Sequence, residues 1–365
     1  MNQLRGVLLL LCLSNAFYGI SQATKTVDYT LGVQPLHAWL MIHSPKLDTF
    51  SGTTGTGFQV ELNRYRKDDL AYSYAHRNYN SGFALQYMHF SNAALGNALN
   101  LSYFIEPFLI ERGKFSIRMR AAGGINFASN PYDKQANPLN DGYSSHVNGY
   151  LGFGFSSNYR FSKNMAAFAQ ATFSHFSNGN TKNPNLGLNF PNIGAGVEYK
   201  LATKTKPLGT LLFYKERWRF DLGSFVCNKS LPFYPKERYW AYGIFGQAGY
   251  RSGAINAWTF ATEAYADNSM RAILDSNLAY KDKQLDHRVI GLMAGHEFVF
   301  NRCIFSQQLG VYIYKEVPQE LINKVYHRWG FNYKLNRNFM MGINLNANLQ
   351  KAFILDARLV YSFYR

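Results

Sequence analysis

From residue 24 onward the chain alternates apolar and polar positions with a period of two, segment after segment. The C-terminal stretch shows this most plainly. Phe353, Leu355, Ala357, Leu359, Tyr361 and Phe363 share one face, while Asp356, Arg358 and Ser362 take the other. Phe339, Met341, Ile343, Leu345 and Ala347 repeat the pattern against Gly342, Asn344, Asn346 and Asn348, as do Phe115, Ile117 and Met119 against Ser116, Arg118 and Arg120. Successive side chains of an extended strand point to opposite faces, so this period predicts strands with one apolar and one polar face. Counting such segments predicts about 14 to 16 strands. Glu111-Arg112-Gly113-Lys114, Ser162-Lys163-Asn164 and Asn336-Arg337-Asn338 read as tight turns. The polar stretches 128–144 and 267–286 read as long loops, and no internal repeat, low-complexity tract or linker stands out.

Alternation alone fits a soluble sandwich as well as a barrel; composition separates the two. Aromatics make up 16% of the 365 residues, with 29 Phe and 26 Tyr, and charged residues only 16%. A soluble surface normally carries more charge. Beyond residue 23 no apolar run approaches the ~20 residues a membrane-spanning helix needs. Arg5, the apolar run Val7 to Leu13 and the small residues of Ser21-Gln22-Ala23 have the form of a secretory signal peptide over residues 1–23. Cys12 follows the bulky Leu11, which argues against a lipid-attachment site. Export, aromatic load and strands of alternating polarity together predict an all-β fold: a transmembrane antiparallel β-barrel of the bacterial outer membrane, a single barrel domain over 24–365. Barrels of this kind have short periplasmic turns and long outer loops, which places the loop after Ser177 on the outer side. Closure removes the sheet edges so many strands would expose. The formal net charge of +16 fits either a basic lumen and rim or attraction to an anionic lipid surface. A nucleic-acid partner is not expected, because the basic residues are scattered and the chain is exported. Cys227 and Cys303 fall near opposite ends of their predicted strands and are not expected to pair.

One segment, 164–201, carries candidate chemistry. Met165, Ala167, Ala169, Ala171, Phe173, His175 and Ser177 share one face of the rising strand, and Gln170, Thr172 and Ser174 the other. The first face is the more apolar and is expected to meet lipid, yet it ends in His and Ser. Residues two apart on a strand are side by side, so an imidazole adjoins a hydroxyl at the membrane boundary. This is the arrangement that deprotonates a serine nucleophile. On the descending strand Asn189, Pro191, Ile193, Ala195, Val197, Tyr199 and Leu201 share a parity, whereas Glu198 takes the other and is expected to point inward. Asn189 therefore joins His175 and Ser177 on the outer wall, where its amide oxygen is placed to hold the imidazole in the tautomer that accepts a proton. The backbone N–H groups of the 178–180 turn, including Asn178 and Gly179, and the side chain of Asn185 are the candidate oxyanion donors.

Residues 175–187, HFSNGNTKNPNLG, resemble the active-site segment of the PagL-type lipid A 3-O-deacylases (acyloxyacyl hydrolases). That family's pattern is His-x-Ser-Asn, then Pro-Asn-x-Gly, then an acid two positions on. His175 and Ser177 fall on its base and nucleophile; Asn178, Pro184, Asn185 and Gly187 fall on its loop. His43-Ser44-Pro45, Gly57-Phe58, Gly96, Glu106-Pro107 and Ser145-His146-Val147-Asn148 extend the likeness to larger relatives over residues 35–201. The resemblance implies an outer-membrane esterase that removes an ester-linked acyl chain from lipid A of lipopolysaccharide in the outer leaflet, with neither cofactor nor metal. Smaller members form an eight-stranded barrel, so residues 202–365 are additional strands. Asn189 departs from the pattern, standing where the family has an acid. His175, Ser177, Asn178, Gly179 and Asn189 also resemble the active site of outer-membrane phospholipase A, which lacks Pro184-Asn185-x-Gly187. Phospholipid is thus the alternative substrate, and an inactive structural or porin-like barrel is the non-enzymatic alternative.

Several tempting features are read as structural. A second His-Phe-Ser-Asn at 89–92 has Tyr103, not an amide or acid, at the spacing that separates His175 from Asn189. His146 reads as a loop or lumen histidine. His296-Glu297 lacks the second histidine of a zinc helix. There is no Gly-x-Ser-x-Gly elbow and no compact acidic cluster.

Overall fold

The computed structural model describes residues 24–67, 78–207, 216–231, 237–253, 255–300, 302–348 and 351–365. The expected signal peptide lies outside the described residues. Sixteen strands follow one another in the order expected from the alternation. The first eight are β1 (Thr24–Trp39), β2 (Thr54–Lys67), β3 (Tyr79–Phe90), β4 (Asn97–Arg112), β5 (Phe115–Ala128), β6 (Val147–Arg160), β7 (Met165–Ser177) and β8 (Leu188–Pro207). The second eight are β9 (Trp218–Lys229), β10 (Tyr239–Arg251), β11 (Asn256–Asp267), β12 (Arg288–Phe300), β13 (Cys303–Lys315), β14 (Val325–Lys334), β15 (Phe339–Asn348) and β16 (Lys351–Tyr364). Each pairs antiparallel with its neighbours.

The sheet closes twice. β8 returns to β1 and β16 returns to β9, giving two barrels of eight strands where the sequence suggested a single one. The physical reason is that alternation and strand number are the same for one wide barrel and two narrow ones. What separates them is the long-range pairing of β1 with β8, which no local pattern encodes. The loop expected at 267–286 also differs, containing a helix, α1 (Asn268–Ser276). Asp267 caps it by accepting the Ser269 N–H at 2.9 Å, and Met270 and Leu274, spaced by four, bury one side. Cys227 and Cys303 are free thiols, as expected.

Polarity runs opposite to that of a soluble protein. Leu151, Phe153 and Phe155 on β6 are 55, 54 and 52% exposed, as suits a wall facing lipid. The lumens hold charge. In the first barrel Arg120 pairs with Glu61 at 2.9 Å and Glu106 at 2.8 Å, and Arg118 pairs with Glu106 at 3.1 Å. In the second, Arg328 pairs with Glu263 at 2.8 Å and Asp356 at 2.7 Å, and Arg219 with Glu297 at 2.7 Å. All these groups are buried. Eight strands enclose an interior about as wide as its own side chains fill, and removing one member of such a pair costs roughly 3–5 kcal/mol by stranding its partner.

Among the described residues the long loops gather on one rim. There the first barrel is stoppered by an apolar cluster that includes Leu47 and Phe50 from the β1–β2 loop, Tyr143 from the β5–β6 loop, and Phe176, Leu188 and Phe190 from the β7–β8 hairpin. The same hairpin touches the second barrel. Thr181 O accepts the Ser230 N–H at 3.2 Å and an Arg238 guanidinium N–H, and Asn183 Nδ2 donates to Ser230 O at 3.1 Å.

Candidate active site

β7 and β8 place the candidate residues by register. His175 is the cross-strand partner of Asn189, and Ser177 follows His175 by two on the same face. All three are half-buried, in the parity of the exposed Phe173, Ile193 and Val197, whereas Ser174, Asn192 and Glu198 are buried in the lumen. Glu198 accepts from Tyr65 Oη at 2.8 Å and Asn158 Nδ2 at 2.7 Å, far from the pair it was expected not to serve. His175 Nε2 lies 3.1 Å from Ser177 Oγ, and His175 Nδ1 lies 2.7 Å from Asn189 Oδ1. Hydroxyl, imidazole and amide thus form one continuous hydrogen-bonded line along the outer wall.

The turn that follows is shaped around this line. Gly179 and Asn180 take positive φ (62° and 66°), and the Gly179 N–H approaches Ser177 Oγ at 3.4 Å. Gly187 also has positive φ (73°); a Cβ there would stand 2.6 Å from His175 Cε1 and 3.2 Å from Ser177 Cβ. The sequence pattern contained Gly187 but did not reveal that it forms the floor beneath the imidazole. A Cβ on Gly179 would meet Leu355 of β16 at 2.6 Å, so the second barrel packs against the turn that follows Ser177.

The expected oxyanion donors divide. The Asn178 N–H donates to Asn185 Oδ1 at 3.0 Å, and the buried Asn178 side chain donates to Lys182 O at 2.8 Å and Ser144 Oγ at 3.3 Å. Asn178 is therefore committed to bracing the turn, contrary to its expected place among the donors. The cause is the tight turn itself, which draws both its backbone and its side chain inward. Asn185 spends its oxygen on Asn178 and keeps its amide nitrogen as a donor.

One contact escaped sequence reasoning. Asn189 Nδ2 lies 3.1 Å from His43 Nδ1, and His43 Nε2 lies 3.1 Å from Leu186 O. His43 sits on the β1–β2 loop, laid beside β8 by the Met41 N–H, which donates to Asn189 O at 2.9 Å. The pairing arises only through closure of β1 on β8.

The second His-Phe-Ser-Asn is a control within the same fold. His89 Nδ1 lies 2.7 Å from Asn97 Oδ1, an amide eight residues on rather than fourteen. Ser91, however, lies beyond the end of β3, and its Oγ accepts the Thr54 N–H at 3.0 Å. His146 Nδ1 lies 2.9 Å from Ala128 O at a strand end. Among the described residues no group of three or more His, Cys, Asp or Glu side chains is placed to hold a metal ion.

Residues 98–198 match the family described as lipid A 3-O-deacylase (PagL), and residues 218–365 match the family described as acyloxyacyl hydrolase, C-terminal domain. None of the curated proteins matches the chain significantly. Among solved structures, Neisserial surface protein A is 11% identical with a TM-score of 0.33, covering 47% of this chain and 97% of its own. The translocator domain of the autotransporter NalP from Neisseria meningitidis is 8% identical with a TM-score of 0.21, covering 99% of this chain and 95% of its own. A porin mutant of Rh. blastica is 8% identical with a TM-score of 0.18, covering 93% of this chain and 100% of its own. With the deacylase match on the first barrel, including the Ser177–His175–Asn189 line, and the C-terminal acyloxyacyl hydrolase match on the second, the chain belongs to the PagL family of outer-membrane lipid A deacylases.

Proposed function

We propose that this protein hydrolyses an ester-linked acyl chain of lipid A at the outer leaflet, with Ser177 as nucleophile and His175 as base. The observation that carries the reading is the Ser177–His175–Asn189 line on the lipid-facing wall. A structural barrel gains nothing by putting three polar side chains there, where desolvation penalises them. Ser177 Oγ attacks the ester carbonyl carbon while His175 Nε2 takes its proton. The Gly179 N–H and the Asn185 amide nitrogen stabilise the oxyanion. The tetrahedral intermediate collapses, the ester C–O bond breaks, and the proton on His175 passes to the departing sugar oxygen. Water, deprotonated by His175, then releases the fatty acid and restores the serine. The membrane presents the acyl chain to the wall, so the site needs no deep pocket.

Asn189 favours a second reading, a phospholipase, since an amide in this place also resembles outer-membrane phospholipase A. Incubating the purified protein with lipid A and with phospholipid, and weighing the products by mass spectrometry, separates the two. Loss of one acyl chain from lipid A supports the proposal; fatty acid released from phospholipid alone overturns it. Ser177→Ala and His175→Ala are expected to abolish release from either.

A further inference from the structure

We infer that His43 is a positioning residue for acyl transfer: it fixes which end of the Asn189 amide faces His175. The inference rests on the active-site reading above, and its starting point is a group whose polarity is certain. Leu186 O can only accept, so the His43 tautomer that satisfies it carries its proton on Nε2. His43 Nδ1 is then bare and accepts, so Asn189 turns Nδ2 toward it and Oδ1 away. That oxygen meets His175 Nδ1, which must carry the proton, leaving Nε2 bare to accept from Ser177. A backbone carbonyl on the loop thereby sets the polarity of every step up to the nucleophile.

Such a device is needed because Asn189 is an amide. Its two ends are alike in size and opposite in polarity. Rotated by half a turn it would offer Nδ2 to His175 Nδ1, push the imidazole proton onto Nε2 and aim that proton at Ser177 Oγ. The base would then be in the wrong tautomer, the fault that disables a serine protease when its aspartate becomes asparagine. A carboxylate accepts at either end and needs no such partner. His43 thus supplies the orientation that an acid at this position would have by symmetry. The β1–β2 loop that carries His43 can bear the role because Leu47 and Phe50 anchor it in the rim cluster, 0 and 1% exposed.

The test is a double-mutant cycle on the full-length protein: wild type, His43→Ala, Asn189→Asp and the double variant, with Ser177→Ala as reference and thermal unfolding by circular dichroism to confirm folding. His43→Ala is expected to lower kcat about 10- to 100-fold with KM nearly unchanged. In the Asn189→Asp background the same change is expected to cost less than about threefold. An equal loss in both backgrounds, or no loss in the first, overturns the inference and leaves the catalytic assignment standing; activity retained by Ser177→Ala overturns both. Should Asn189→Asp itself be inactive, the ¹⁵N shifts of the His175 ring decide. They are expected to report a proton on Nδ1 in wild type and a tautomer mixture in His43→Ala, and an unchanged tautomer overturns the inference.

Discussion

His175 and Asn189 occupy directly opposed positions of the β7–β8 ladder, and their side chains meet at 2.7 Å on the lipid side of it. The contact is a consequence of register, so Asn189 is expected to be needed for chemistry rather than for lipid binding. Asn189→Leu should lower kcat by about 10²–10⁴-fold with little change in KM, the signature of an interaction that matters in the transition state. Steady-state kinetics on micellar substrate checks this; a rise in KM alone would show that Asn189 serves binding instead.

Gly187 is expected to tolerate no side chain. Alanine there meets the imidazole at 2.6 Å and must adopt a φ of 73°, so it displaces His175 and strains the turn by roughly 1–2 kcal/mol. Turnover should fall at least about tenfold while the barrel still folds, because the clash is confined to the turn. Activity measured beside an unfolding curve distinguishes this from general collapse.

The duplicate motif supplies the opposite expectation. Ser91 is engaged by Thr54, not by His89, so Ser91→Ala and His89→Ala should leave hydrolysis at the wild-type rate. Loss of activity in Ser91→Ala would mean that the first barrel carries a second nucleophile.

The second barrel reaches the turn that follows Ser177 through Leu355, Ser230 and Arg238. Arg238→Ala removes the guanidinium that donates to Thr181 O, and kcat is expected to drop a few-fold, as about 1 kcal/mol of a single hydrogen bond allows. An Arg238→Ala enzyme with unchanged kcat would show that the second barrel does not brace the turn.

How far the sequence reveals this molecule depends on the range of each interaction. Strands and facing were legible because a period of two fixes which side each residue takes: Ser177, His175 and Asn189 point outward and Glu198 inward as the parity demands. The hairpin spacing was legible for the same reason. The double closure was not, since it depends on β1 meeting β8 across more than a hundred residues, and the contact of His43 with Asn189 was hidden with it. Asn178 was misjudged at short range. Its residue type suits an oxyanion donor, but the turn geometry that occupies its N–H and side chain is set by Asn185 and Lys182 together. The His89 motif was set aside on its spacing, with Tyr103 where Asn189 would stand, and the end of β3 one residue before Ser91 adds a structural difference that the four identical residues do not show.

Closing the sheet into two narrow cylinders has a physiological corollary. Sixteen strands in one ring would surround an aqueous channel; split into eights, each ring is packed shut by its own arginines and carboxylates. Neither ring is then expected to conduct ions, and many copies in one membrane are expected to leak no solute.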